Sequence, residues 1–214
     1  VNNSTGVSKR ADELRIGGLQ SWSTCDWPGE LVATIFCQGC SWDCPYCHNP
    51  HLRDPQGGGR IAWSEVLTFF KNRRGLLDGA VISGGEPLLQ SNLVRAVQEL
   101  RGLGFKVGLH TGGAVPERFA DVLPYVNWVG FDVKAPFDEY ESITRVPGSG
   151  MKAKESLLLL LQSGVPHQLR TTVHPRLLDE AAIERLNADL AALACGPTLI
   201  QEFRKDGVAD LSLV

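Results

Sequence analysis

Apolar residues are laid out along this chain in two ways: short continuous runs, and longer stretches with an apolar residue every third or fourth position. Leu31 to Phe36 is the first run, with β-branched residues, the pattern of a strand covered on both faces. Ser64 opens a stretch in which Val66, Leu67, Phe69 and Phe70 share a face, which predicts a helix with Ser64 as its N-cap. Ala80 to Ser83 predicts a second strand. Leu93, Val94, Val97, Leu100 and Leu103 predict a second helix, preceded by Asn92 and closed by Gly104. Lys106 to Thr111, Trp128 to Val133, His167 to Val173 and Thr198 to Phe203 predict four more strands. Between them, helices are predicted at Pro116 to Leu123, at Ala153 to Gln162 with a stop at Gly164, and from Asp179 to Ala194. In the last, Ile183, Leu186, Leu190 and Leu193 face inward. Ala135 to Gly150 reads as a longer connection.

Strand followed by helix, about six times over, implies a parallel sheet with helices outside. A complete eight-unit barrel takes typically ~250 residues. Six units in 214 residues predict an α/β fold built as a partial (β/α)6 TIM-like barrel, parallel strands with outer helices. No linker or repeat marks a second domain. Residues 14–214 read as one domain, and the polar residues 1–13 as a flexible N-terminal arm.

Composition narrows the function classes. Hydrophobic residues at 43% and charged residues at 21% are ordinary for a globular chain. A net charge of -3 offers no basic footprint for nucleic acid, and no apolar run approaches the ~20 residues of a membrane span. The N-terminus lacks the charged-then-apolar order of a secretory signal. The six cysteines are therefore read in a reducing, cytoplasmic setting, where clustered thiols mean metal or redox chemistry.

Four of them, Cys37, Cys40, Cys44 and Cys47, fall within eleven residues directly after the first strand. Two C-x2-C pairs suit zinc, but the three residues between the pairs are far fewer than the ~12–20 of zinc ribbons. Cys44-Pro45-Tyr46-Cys47-His48 matches a c-type haem attachment pattern. With Cys37 as fourth ligand, the segment could close an electron-transfer cluster; Cys37 equally reads as a buried thiol. Cys40, Cys44 and Cys47 alone, spaced C-x3-C-x2-C, would hold three corners of a cubane and leave one iron open, as catalytic metal sites do.

The other strand ends are polar. The second runs into Gly84-Gly85-Glu86-Pro87, where paired glycines permit close backbone approach and Glu86 can accept from an ammonium group; a plain turn also fits. The third ends His110-Thr111-Gly112-Gly113. Asp132 and Lys134 share a face by alternation, as do Arg170, Thr172 and His174, and Gln201 lies on the last strand. Singly, each reads as a satisfied core polar group. Together, at the C-terminal ends of barrel strands, they read as an active site. Asp132 suits a hydroxyl or a bound cation, Lys134 a carboxylate, and Arg170 and His174 the lining of the same site.

The cysteine spacing, the aromatic Tyr46 before the last cysteine and the Gly-Gly-Glu-Pro stretch together resemble the radical S-adenosylmethionine superfamily. The resemblance implies a [4Fe-4S] cluster on Cys40, Cys44 and Cys47 that reductively cleaves S-adenosylmethionine to methionine and a 5′-deoxyadenosyl radical. It places Tyr46 near the adenine and Gly84, Gly85 and Glu86 at the methionine amino group. Thr111, Asp132, Lys134, Arg170 and His174 complete the expected cofactor contacts. Further motifs resemble the activating proteins of anaerobic ribonucleoside-triphosphate reductase: Gly17-Gly18-Leu19-Gln20, Asp26-Trp27-Pro28-Gly29, Leu76-Leu77-Asp78-Gly79, Asp132-Val133-Lys134-Ala135-Pro136, Arg170 to Pro175 and Gln201-Glu202-Phe203-Arg204. That likeness implies a glycyl-radical enzyme as partner and a flavodoxin or ferredoxin as reductant. His110-Thr111-Gly112-Gly113 departs from the family's usual Asp/Thr-Asn-Gly type of sequence, and Cys37 stands where Thr is frequent. The alternatives are a radical enzyme acting on a small molecule or peptide, such as a carboxydeazaguanine synthase, and a non-catalytic electron carrier.

Overall fold

A computed structural model of the chain describes residues 14–57, 59, 61–208 and 210–213. They form a seven-stranded sheet whose strands lie side by side in chain order. These are β1 (Ile16–Ser23), β2 (Val32–Cys37), β3 (Gly79–Gly84), β4 (Lys106–Thr111), β5 (Trp128–Asp132), β6 (His167–Val173) and β7 (Leu199–Glu202). β2 to β7 pair in parallel, giving the six-stranded partial barrel expected from the sequence. The crossovers carry α1 (Trp63–Lys71), α2 (Leu93–Gly102), α3 (Pro116–Val122), α4 (Tyr140–Thr144), α5 (Ser149–Ser163) and α6 (Glu180–Ala192).

Alternation along the strands sorts the two faces. Ala33, Ile35, Ala80, Ile82, Val107, Leu109, Val129 and Phe131 face the helices and join Val66, Phe70, Val97, Leu100, Phe119, Leu157 and Leu160 in the main core. Each Val, Leu, Ile or Phe among them contributes roughly 1.5–3 kcal/mol by leaving water. The opposite face has a separate small cluster of Val32, Val81 and Trp128, closed by Trp27 from the β1–β2 loop. Trp27 stacks on Trp128 with ring centroids 5.6 Å apart. Gly108 makes this plug fit, because a Cβ there would lie 2.9 Å from the Trp27 ring. The strand starts on this face are thus sealed with apolar rings, and the polar residues sit toward the strand ends.

Four features differ from the sequence expectation. β1 carries no strand pattern, since Gly17, Gly18, Gln20 and Ser21 neither alternate nor bury. It forms because its backbone pairs antiparallel with β2, with register shifts on both sides of Gly18–Gln20. Ser64 is not the cap of α1: the helix starts at Trp63 after Ala62, and the Glu65 carboxylate accepts from the Ala62 amide at 3.4 Å. Trp63 belongs to the helix because its ring is buried and its indole N–H donates to Glu99 at 2.6 Å. α5 begins at Ser149 rather than Ala153, behind a left-handed Gly148 at φ 71. The connection before it holds the short α4. Asp179, where the sequence places the start of the last helix, caps α6 by accepting from Ala182 N at 2.7 Å. The arm at residues 1–13 lies outside the described residues. No helix among the described residues is long and apolar enough to cross a membrane.

Candidate active site

The cysteine loop leaves β2 and is tied down by backbone bonds. Gly39 turns at φ 101, and its N–H donates to Leu52 O at 2.7 Å. Cys40 N donates to Arg53 O at 3.0 Å and Asp43 N to Thr144 O at 2.9 Å. Gln38 donates to His51 O and Asp54 O at 3.1 and 3.0 Å, and its own carbonyl accepts from Gln90 at 2.7 Å.

The glycines at the end of β3 press directly on this loop. A Cβ at Gly84, whose φ is 123, would lie 2.2 Å from Cys37 N; one at Gly85 would lie 2.2 Å from Gly39 O. Gly85 N donates to Cys37 O at 3.0 Å and Glu86 N to Gly39 O at 2.9 Å. The close approach that paired glycines permit is therefore made between two segments of this chain.

These contacts frame a cavity of about 200 Å³ at the strand ends. It is lined by Cys40, Cys44 and Cys47, by Tyr46, Gly84, Gly85 and Glu86, and by Thr111, Asp132, Lys134 and Arg170. The residues expected to hold the cluster and cofactor therefore meet there except His174, and Gln201, exposed on β7, also stays outside the lining. The His174 ring donates through Nε2 to Leu213 O at 3.0 Å and accepts at Nδ1 from Arg176 N at 3.2 Å, outside the lining. Cys37 also stands apart, fully buried in the core. Trp42, His48, Ser83, His110, Gly112 and Thr172 line the cavity too. Trp42 gave no signal of its own. Its match is Gly112, where a Cβ would lie 2.2 Å from the Trp42 ring, and that fit is invisible in the chain order.

The donor set suits a cluster better than a single ion. A tetrahedral zinc with bonds of ~2.3 Å draws its sulfurs to roughly 3.8 Å from one another. Among the described residues, no three His, Cys, Asp or Glu side chains gather for one ion. The three cysteines, all free, instead share the wall of one cavity. Burial pushes the Cys40 thiol up to about 12, with the Glu86 carboxylate adding to the effect against a backbone hydrogen bond from Trp42. Burial also raises Cys44, against the pull of Lys134. Such thiols give up their protons when a metal supplies the missing positive charge.

Four charged groups, Glu86, Asp132, Lys134 and Arg170, line the same space. Glu86 is buried, accepting from Thr111 Oγ1 at 2.6 Å and Leu88 N at 3.1 Å on Oε1, and from Gly112 N at 3.1 Å on Oε2. Burial raises its pKa, and these donors only partly oppose the rise. Lys134 Nζ lies 5.7 Å from the Trp42 ring centre and 5.9 Å from that of Tyr46, with Asp132 Oδ2 at 3.7 Å. Burial works against its charge, but Tyr46, Asp132, Cys44 and Tyr140 outweigh it and hold the ammonium well above its usual range. Asp132 takes two bonds from Arg170 on Oδ1, from Nε at 3.0 Å and Nη2 at 2.8 Å. Burial would raise its pKa, yet Arg170, Lys134 and His110 bring it below the usual carboxylate value. His110 packs between Arg170 and the Asp26 carbonyl; burial and the Arg170 charge lower it to about 4. Within the site, the Tyr46 hydroxyl is buried with no hydrogen-bond partner among the described residues, which marks it as a group that a bound molecule can satisfy.

The sequence pattern of the Radical SAM superfamily matches residues 34–187, which spans the cysteine loop, the glycine-rich strand end and β4 to β6. A Methanocaldococcus jannaschii protein named "Putative glycyl-radical enzyme activating enzyme" is 31% identical over 207 residues, covering 91% of this chain and 82% of that protein. The pyruvate formate-lyase-activating enzyme of Clostridium pasteurianum is 29% identical over 172 residues, 77% of this chain and 71% of that one. Among solved structures, anSMEcpe with bound AdoMet superposes with a TM-score of 0.60 at 17% identity, over 78% of this chain and 48% of its own. Streptococcus suis SuiB bound to precursor peptide SuiA gives 0.63 at 11%, over 81% and 39%. At these identities the structures share the fold. The chain belongs to the Radical SAM superfamily, among its glycyl-radical enzyme activating members, and is an enzyme of the kind that works with a [4Fe-4S] cluster and S-adenosylmethionine.

Proposed function

We propose that Cys40, Cys44 and Cys47 hold the cluster through three irons and that the chain generates a glycyl radical on a partner enzyme. The observation that carries this reading is the convergence of three free thiols, a buried carboxylate and a caged ammonium on one cavity. When bound, the cluster and S-adenosylmethionine supply an electron and a 5′-deoxyadenosyl radical able to take a hydrogen atom. The chain's own residues bind and orient. Glu86 faces the methionine ammonium, with Thr111 and Gly112 fixing its oxygens. Lys134 meets the carboxylate, held in position by Trp42, Tyr46 and Asp132. Asp132, held by Arg170 on one oxygen, offers the other to a ribose hydroxyl. Tyr46 would lie beside the adenine, and its hydroxyl, without a partner among the described residues, would offer a polar contact. Trp42 packs against Gly112 and closes the wall to water. His174, outside the cavity, supports the strand end.

The partner we favour is anaerobic ribonucleoside-triphosphate reductase, on the motifs Asp26 to Gly29 and Gln201 to Arg204, with a flavodoxin or ferredoxin as reductant in a reducing, cytoplasmic setting. A pyruvate formate-lyase-type partner is the second reading, favoured by the names of the relatives. Cys37, buried away from the cavity, argues against a fully protein-ligated electron carrier. The test is anaerobic loading with iron and sulfide, then dithionite and S-adenosylmethionine. The expected product is 5′-deoxyadenosine, and adding the right partner yields a glycyl-radical EPR doublet. No 5′-deoxyadenosine above background sinks the radical chemistry; a radical on only one candidate partner decides between the two.

A further inference from the structure

The segment after β7 is not a loose end. Phe203 N donates to Val173 O at 3.1 Å, extending the β6–β7 ladder by one residue and setting the direction of the Phe203 ring. That ring meets His174 edge-to-face at 4.8 Å and lies 5.8 Å from His48 at 30°. His48 directly follows Cys47. Its Nε2 is 3.0 Å from Arg204 O and 3.3 Å from Arg204 N. The ring donates to the carbonyl in one tautomer and accepts from the amide in the other, so the contact survives either. Farther on, Gly207 turns at φ 82 against His48, where a Cβ would lie 2.9 Å from the His48 carbonyl. Asp210 reaches Arg145 at 3.6 Å, and Arg145 also reaches Asp43 of the cysteine loop at 3.4 Å. The far end is fastened where Leu213 O accepts from His174.

The segment therefore meets the cysteine loop directly at His48 and, through Arg145, at Asp43. The early part of that loop has other anchors, at Arg53 O and Thr144 O. In its late part, among the described residues, the hydrogen bond of Cys47 N is local, to Cys44 O, and the long-range bonds of His48 run to Arg204. We propose that the segment from Phe203 to Leu213 positions the loop of Cys47, with Phe203 as the positioning residue; this rests on the reading of Cys47 as a cluster ligand. Among the described residues, none of this segment lines the cavity. Its effect is to hold one thiol of three at the distance the cluster requires, since a loop that opens exposes that thiol to solvent and loosens its iron.

Alkylation of the metal-free full chain by iodoacetamide, followed cysteine by cysteine with peptide mass spectrometry, tests this without activity. Phe203→Ala is expected to speed modification of Cys47 by about tenfold, through local opening, and to leave Cys37 protected. Phe203→Tyr keeps the ring and restores the wild-type rate. In the loaded chain, the alanine variant loses iron to a chelator faster, and the tyrosine variant does not. An unchanged Cys47 rate in Phe203→Ala overturns the proposal. So does an equal rise at Cys37 and Cys47, which marks general loosening. A wild-type chain that takes up no iron overturns the cluster reading instead, and the alkylation ratio still decides the role of Phe203.

Discussion

Gly85→Ala tests the backbone junction between β3 and the cysteine loop. The added methyl would lie 2.2 Å from Gly39 O, 2.7 Å from Gly39 C and 3.0 Å from Leu52 O. Its neighbours are backbone, so no side chain can swing aside. Gly85 is not among the residues with positive φ, so the cost is contact alone. Relief requires the two segments to part by about 1 Å, which breaks Gly85 N to Cys37 O and Glu86 N to Gly39 O. Leaving such groups unpaired in the interior costs roughly 1–3 kcal/mol each, so about 2–6 kcal/mol in all. That is a large share of the ~5–15 kcal/mol that holds a typical domain folded. Gly102→Ala is the matched control: it ends α2, has nothing within 4 Å of its Cβ, and should gain roughly 0.5–1 kcal/mol from reduced backbone entropy. Urea unfolding of both metal-free variants by circular dichroism, with iron content after loading, measures the contrast. A Gly85→Ala chain within about 0.5 kcal/mol of wild type, with full iron uptake, would refute the junction as drawn.

Other outcomes follow from the same geometry. Lys134→Met should weaken S-adenosylmethionine binding to the loaded chain by roughly tenfold or more in calorimetry, because a charge-assisted bond is lost; unchanged affinity would remove Lys134 from the carboxylate. Cys40→Ser should abolish iron uptake and Cys25→Ser, on the exposed loop, should not; equal iron contents would contradict the ligand set. His110 is neutral when folded down to about 4, against an ordinary 6.5, so between these values the unfolded chain binds the extra proton. Its stabilising contribution is complete above pH 6.5 and falls as pH drops, by about 2 kcal/mol at pH 5. Urea midpoints at pH 7 and pH 5 should therefore differ less in His110→Gln than in wild type; equal differences would show that His110 does not carry the effect. Asp179→Ala should cost about 1 kcal/mol through loss of the bond to Ala182 N, seen in the same melts.

The amino-acid order by itself determined the six parallel strands, most of their helices and the chemistry-bearing strand ends. Those features are local. A run such as Leu31 to Phe36 or an Asp at position 179 carries its physical cause within a few residues, in periodicity and capping. The C-x3-C-x2-C spacing is equally local, because one short loop has to present all three thiols. Tertiary structure alone decided the rest. β1 exists through backbone pairing with β2, which no side-chain pattern announces. Trp63 enters α1 because Glu99, far along the chain, receives its N–H. His174 shares the alternation of Arg170 and Thr172 but leaves the cavity, since Leu213 O and Phe203 claim its ring. The glycines of Gly84-Gly85 were visible as freedom of approach; that the surface approached is the cysteine loop itself depends on how β3 lies against β2. Spacing fixes which groups can act together. Which of them face the cavity is set by contacts between residues far apart in the chain, and those form only when the sheet closes on its helices.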